Sequence, residues 1–196
     1  MPKLKNLIRT DLIQARILNE KNQLTYLKLL YLFFRSRTCR IQTFIRLRSS
    51  FSFLSFISKL YLDLFLIEVG KETIIGEYFY LPHPRCIIIS NEVVIGNHVH
   101  VGQYATIGGS FKKSRNINHG TSQKLPIIGN NVIISAGAVI GGPVIIGNEV
   151  IVGANAVITR DVENNKIVFG KNEISKKKIN VPDNCGEFIF VELNET

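Results

Sequence analysis

Residues 128–162 read IGNNVI ISAGAV IGGPVI IGNEVI VGANAV ITRDV once cut into sixes, and this stretch decides the fold. Ile128, Ile134, Ile140, Ile146, Val152 and Ile158 open the hexads, and glycine follows most of them. Four positions after each opener stands a small or β-branched residue: Val132, Ala138, Val144, Val150, Ala156, Val162. The same phase recurs at Ile89, Ile95, Val101 and Ile107, and before that at Val69, Ile75 and Leu81. A period of six is neither the 3.6 of a helix nor the simple alternation of a half-buried strand. It marks a parallel β-helix in which each hexapeptide supplies a short strand and a corner. Position 1 aims an aliphatic side chain inward, position 5 a smaller one, and positions 3, 4 and 6 face out. Glycine at position 2 is expected to turn the corner at no Cβ cost. Three hexads make one coil, and stacked coils bury a continuous core. Pro143 suits a corner, as it would suit no central ladder.

Two interruptions break the register. Two extra residues lie between the Leu81 and Ile89 hexads, and the polar stretch GSFKKSRNINHGTSQKLP separates Ile107 from Ile128. The second lacks an apolar period and is expected to leave the prism as an extruded loop over residues 110–126. Loops of such length are commonly functional.

Counting hexads from Val69 puts His83, in YLPHPRCIIIS (residues 80–90), at an outward position 3. If the long loop leaves the phase intact, the same place in later coils is Gln103, Ala136 and Ala154. Coils stack about 4.8 Å apart, so this column spans roughly 14 Å. A titratable ring followed by two methyl-sized residues describes a narrow groove with chemistry at one end. Glu68, also outward, lies on the side from which His83 projects. A carboxylate beside an imidazole fixes its tautomer and stabilises the imidazolium formed on proton abstraction. Spacing alone leaves two readings of His83: a general base, or a surface ring wedged between prolines.

The formal net charge of +9 is unevenly placed. Residues 1–66 hold 12 Lys/Arg against 3 Asp/Glu, and the remainder holds 12 of each. That first third is also rich in Leu, Phe, Ile and Tyr, as in LTYLKLLYLFF and FSFLSFISKLYLDLFLI. Lys28 and the Lys59/Asp63 pair interrupt these runs, which fall short of a membrane span. Amphipathic helices are expected, either packed on the main domain or lying on an anionic membrane or acidic polymer. Nucleic acid is not an expected partner, because no recognition motif accompanies the charge. Cys39, Cys86 and Cys185 fit no CxxC spacing and read as free thiols in a reducing cytoplasm. The N-terminus shows no apolar core with a small-residue cleavage site.

Residues 67–170 resemble the catalytic domain of serine acetyltransferases, and more so the related acetyltransferases of colanic acid and other surface polysaccharide pathways. The residues that carry the resemblance are IEVGKETIIGEYFYLPH, NHVHVGQYATIGG, IISAGAVIGG and IVGANAVITRDV. It implies a left-handed coil, which periodicity alone does not give, and a homotrimer with its groove between subunits. It also implies His83 as general base, Glu68 as the acid that orients it, and acetyl-CoA pantetheine held at Ala136 and Ala154. Gly108 and Gly109 are expected to offer N–H groups to an oxyanion.

Departures are evident as well. The Arg-His-Pro triplet that closes the loop in serine acetyltransferases reads Lys124-Leu125-Pro126 here, without its histidine. His119 lies inside the loop, either as a substitute ring or solvated. Arg85, Gln103, His119 and Lys124 are the candidate acceptor contacts. The Gly-x-Pro-Ala closing segment is replaced by FGKNEISKKK, whose Lys171 and Lys176 either meet coenzyme A phosphates or are solvated. His98 and His100 face outward with no cluster beside them, so no metal site is expected.

The sequence reading is therefore an acetyl-CoA-dependent O-acetyltransferase. Its expected acceptor is a sugar hydroxyl of a surface polysaccharide such as capsule or lipopolysaccharide, or its precursor. L-serine is the alternative acceptor, and a non-catalytic β-helix trimer the alternative class. The expected location is the cytoplasm, with residues 1–66 placed to touch the inner face of the membrane.

Overall fold

The computed structural model describes residues 2–21, 24–49, 52–109, 115–117, 121–170 and 173–176. Four helices come first: α1 (Pro2–Gln14), α2 (Tyr26–Arg35), α3 (Arg37–Leu47) and α4 (Ser52–Asp63). Short strands then wind into a left-handed parallel β-helix of three sheets. Sheet A holds β1 (Ile67–Val69), β3 (Ile87–Ile89), β6 (Thr106–Gly108), β11 (Val139–Gly141) and β14 (Val157–Ile158). Sheet B holds β2 (Ile74–Ile75), β4 (Val94–Ile95), β9 (Ile127–Ile128) and β12 (Ile145–Ile146). Sheet C holds β5 (His100–Val101), β10 (Ile133–Ile134), β13 (Ile151–Val152), β15 (Lys166–Phe169) and β16 (Glu173–Lys176). Within these three sheets, among the described residues, β16 alone runs antiparallel, folding back on β15 at the far edge.

The hexad phase is the register of these sheets. Ile89 pairs with Ile107, Ile107 with Ile140 and Ile140 with Ile158, so each opener stacks on an opener. Ile95 pairs with Ile128 and Val101 with Ile134 across the long insertion, which leaves the phase intact. Openers and fifth-position residues such as Val99, Ala105, Val132 and Ala156 fill one continuous core. Each Ile or Val so buried stabilises by roughly 1.5–3 kcal/mol against leaving it in water.

The glycines have a different cause from the one expected. Gly76, Gly96, Gly129 and Gly147 do not have positive φ; the left-handed residues sit at position 4, among them Tyr78, Glu92, His98, Asn131 and Glu149. At position 2 a Cβ would collide with the next coil: 2.4 Å from Asn97 Oδ1 at Gly76, and 2.8 Å from Asn148 Oδ1 at Gly129. Those Asn side chains form a ladder up the corner between sheets B and C. Asn97 N donates to Asn130 Oδ1, Asn130 N to Asn148 Oδ1, and Asn148 N to Asn164 Oδ1. The glycines make room for this ladder.

The first coil has no coil before it, so its outer edge would leave backbone groups without partners. Helix α3 covers it. Buried Arg46 donates to the carbonyls of Ile75 and Gly76 at 2.7 and 2.6 Å, and Gln42 Nε2 donates to that of Phe79. Asp11 of α1 accepts two 2.7 Å hydrogen bonds from Arg46 and a third from the Phe79 N–H. Burial pushes the Asp11 carboxyl up to about 6, although Arg46 pulls against it. Ser36 joins α2 to α3 in one residue: its N–H caps Leu32, and its Oγ accepts from the Cys39 N–H.

The insertion after Ile107 is not wholly irregular, contrary to expectation. Arg115–Ile117 and Thr121–Gln123 pair as the antiparallel strands β7 and β8, a hairpin standing off the coil. It leaves and rejoins at one place, since the Lys124 carbonyl lies 3.2 Å from where a Gly109 Cβ would stand.

Candidate active site

The corner between sheets C and A carries the residues of chemical interest. In regular coils a position-4 N–H donates to the position-3 carbonyl of the coil before: Gly137 to Gln103, and Asn155 to Ala136. By the same bond Tyr104 N donates to the Arg85 carbonyl, and Cys86 N to that of Phe65. Cys86, at φ 50°, is therefore the left-handed position 4, and the stacked column is Arg85, Gln103, Ala136, Ala154. The expected column began with His83. That expectation is corrected: the two extra residues bulge out of the corner before position 3, and His83 rides on the bulge. Pro84 beside it is buried and anchors the bulge, while His83 and Arg85 are exposed.

Glu68 is the outward residue of β1, flanked by buried Ile67 and Val69 and in register with Ile88. It follows by three residues the Phe65 carbonyl that holds the base of the bulge. The fold thus puts His83 on the corner and Glu68 outward on the strand that follows that corner in the adjacent coil, with Arg85 and Gln103 on the corner column and Ala136 and Ala154 further along. No hydrogen bond or ion pair joins His83 to Glu68 among the described residues. Sequence reasoning missed one feature here, the displacement of Arg85 into the column, although the spacing of LPHPRCI already contained the two-residue surplus.

Other candidates lie elsewhere. Gly108 and Gly109 sit at the opposite edge of sheet A: Gly108 pairs with Gly141, and its carbonyl accepts from the Gly142 N–H. Lys124 is at that same edge and exposed. A strand of about three residues, ~10 Å, separates the two edges. One chain therefore does not gather His83 and the Gly108–Gly109–Lys124 group around a single reacting atom. The backbone of Lys176 pairs with Lys166 at the far end of sheet C, whereas His119 and Lys171 lie outside the described residues.

His98 is exposed, as expected, whereas His100 is half-buried. His98 stacks on Tyr78 at 4.2 Å, and His100 meets Tyr80 edge-on at 5.4 Å. Gln14 of α1 places its Nε2 2.6 Å from His100 Nε2, its amide donating to the neutral ring. Burial, with the charge of His98 adding, holds the His100 imidazolium below its usual range. Cys39 is buried in α3, and burial raises its thiol; Cys86 is half-buried; Cys185 lies outside the described residues. Among the described residues no group of His, Cys, Asp and Glu is arranged to hold a metal ion.

A stacked hexapeptide coil defines a class of fold, and comparison with known proteins gives the same class. Residues 126–160 match the family described as bacterial transferase hexapeptide (six repeats). The curated relatives found are serine acetyltransferases. That of Synechococcus elongatus is 30% identical over 104 residues, 53% of this chain and 40% of its own. That of Staphylococcus aureus is 34% identical over 104 residues, 53% of this chain and 46% of its own. The chain thus spans under half the length of these relatives.

Among solved structures, Entamoeba histolytica serine acetyltransferase isoform 3, in complex with cysteine, aligns with a TM-score of 0.67 at 26% identity. It covers 89% of this chain and 60% of its own. The Neisseria gonorrhoeae serine acetyltransferase aligns at 0.70 and 19% identity over 95% of this chain and 72% of its own, a likeness of fold. The chain carries the hexapeptide repeat of bacterial transferases and is related in sequence to serine acetyltransferases. These findings overturn the expected sugar acceptor and the closer link to colanic acid enzymes. The altered Lys124-Leu125-Pro126 closure was given too much weight, since acceptor chemistry does not follow from one absent ring.

Proposed function

We propose that this protein transfers the acetyl group of acetyl-CoA to the hydroxyl of L-serine. One observation carries the reading: the corner between sheets C and A presents His83 on a proline-anchored bulge, and the Phe65 carbonyl that holds the base of that bulge leads directly into the strand on which Glu68 faces outward. Sequence relationship to serine acetyltransferases supports the donor and the acceptor together. His83 removes the hydroxyl proton as the serine oxygen attacks the thioester carbon. The tetrahedral intermediate then collapses, expelling the coenzyme A thiolate, which takes up the proton. Glu68 orients the ring and stabilises its charged form. The donor's pantetheine lies along Ala136 and Ala154, whose methyl side chains leave room for it, and Gln103 faces the acceptor. Lys171 and Lys176 are the cations proposed for its phosphates.

Assembly enters through the separation of the two edges of sheet A. The Gly108–Gly109 N–H groups and Lys124 meet the bulge of a second copy rather than their own, in a homotrimer. Lys124 then stands as counter-charge to the serine carboxylate in place of the missing loop histidine. The test is release of free thiol from acetyl-CoA by the purified protein with and without L-serine, alongside His83→Ala. Serine-dependent release that His83→Ala abolishes supports the reading. Acetyl-CoA turnover that ignores serine, or full activity in the variant, overturns it.

A further inference from the structure

We propose that helices α2 and α4 form a surface that docks on an anionic lipid bilayer, lying on it rather than crossing it. The observation is an unpartnered apolar face on each helix. Helix α2 is apolar on two sides, with Lys28 and Arg35 together on a third: Leu29, Leu32 and Phe33 turn toward the other helices, yet none of its residues is fully buried. The second apolar side leaves Leu27 81% and Phe34 74% exposed, with Tyr26, Leu30 and Tyr31 between them. An apolar helix side belongs in contact, and this one has no partner among the described residues of the chain. Helix α4 repeats the pattern with Phe53, Phe56, Leu60 and Leu64, spaced three or four residues apart and all more than half exposed. Large apolar side chains exposed side by side, rather than singly, mark an interaction surface.

Charge selects the occupant. The helical region holds 12 basic residues against 3 acidic ones. Two of the three acids are already engaged, Asp11 with Arg46 in the interior and Asp63 with Lys59. Arg35 lines the same shallow concavity as Leu27, Leu30, Tyr31 and Phe34, and exposed Arg37 follows at the end of the helix. Apolar rings beside guanidinium groups suit a layer of acyl chains beneath phosphate headgroups, each basic residue near such a surface contributing about 1 kcal/mol. A second copy of the same face would instead set two basic surfaces against each other. No helix of the described residues is long and apolar enough to cross a membrane, so the contact is interfacial.

The α2 and α4 faces are bound together through α3. Arg40 donates to the carbonyls of Phe33 and Phe34 at the end of α2 and to the hydroxyl of Tyr61 in α4. The helices therefore dock as one layer. The experiment is flotation of the full-length protein with vesicles of phosphatidylcholine alone and with about one third phosphatidylglycerol, at low and high salt. It is repeated with Leu27→Glu/Phe34→Glu, two of the most exposed side chains of the helix, whose fold is checked by circular dichroism. Binding to anionic vesicles that falls at least ~10-fold in neutral vesicles and in the variant is the expected result. Absence of wild-type binding, or equal binding by the variant, overturns the proposal. So does self-association, seen by sedimentation velocity, that the same variant dissolves, because a second copy would then cover the face.

Discussion

The Cys86 N–H donates to the Phe65 carbonyl at 3.1 Å, and this one bond pins the corner from which His83 projects to the turn that leads into Glu68. Regular coils make the same bond between neighbours, so the repeat itself builds the foundation and the two surplus residues ride above it. A side chain raised off the corner stands clear of the column of Arg85, Gln103, Ala136 and Ala154.

His83 and Glu68 are expected to separate in kinetics. His83→Ala should lower kcat by about 10²–10⁴-fold, the usual contribution of a general base. Glu68→Gln should lower kcat roughly tenfold, ~1.4 kcal/mol in the barrier, with the KM for acetyl-CoA unchanged. Steady-state kinetics on both variants decide it: an equal rise in KM with constant kcat would make Glu68 a binding residue rather than an orienting one.

Deleting Pro82 and His83 together restores a standard hexad, since Arg85 and Cys86 already occupy positions 3 and 4. The shortened protein should keep its melting temperature within a few degrees and lose acetyl transfer entirely. Collapse of the fold instead would show that the buried Pro84 needs the bulge to reach its place.

Two position-2 glycines separate packing from backbone freedom. A methyl group at Gly129 would lie 2.8 Å from Asn148 Oδ1 and from the Gly147 backbone, whereas one at Gly141 meets nothing within 4 Å. Gly129→Ala should cost about 1–3 kcal/mol through overpacking, and Gly141→Ala should stay within about 0.5 kcal/mol. Chemical denaturation of both variants measures the contrast; equal losses would return the explanation to turning the corner.

The coil was legible because its period is strict, and one residue class repeated at every sixth position survives two insertions. Sequence also placed Glu68 facing outward, as it does on β1. It misaligned the column by two residues, since a count of hexads does not say where within a corner an insertion bulges. Two other features were out of reach. The hairpin β7–β8 has no apolar alternation, and the contact of Asp11 with Arg46 joins residues whose spacing carries no pattern. The acceptor was misread for a different reason: it hung on one absent loop histidine, and a carboxylate can be met by another cation.

Asp11 should make stability depend on pH in the less familiar direction. Its folded carboxyl titrates at about 6 against 3.8 in the open chain, so between those values the folded protein holds a proton that the unfolded chain has released. This contribution is full below about 4 and is lost as the pH rises through 6. Asp11→Asn lacks the titration. The stability of the native protein relative to Asp11→Asn should therefore grow as pH falls from 7.5 to 4.5, read from urea midpoints; a constant difference would refute the shift.

His100 should act with the opposite sign. Its imidazolium is disfavoured by burial and by His98, and Gln14 donates to the neutral ring. In the unfolded chain the ring gains a proton near its ordinary 6.5, and in the folded protein only at lower pH. The contribution is present above 6.5 and is lost as the pH falls below it. Protonation also turns Nε2 from acceptor to donor against the Gln14 amide, so the loss should fall on the docking of α1. Hydrogen exchange of the α1 amides should quicken between pH 7.5 and 5.5, beyond the intrinsic change of rate, in the native protein. It should not do so in His100→Gln, which has no charge to gain there. Identical behaviour of the two proteins would detach α1 from His100.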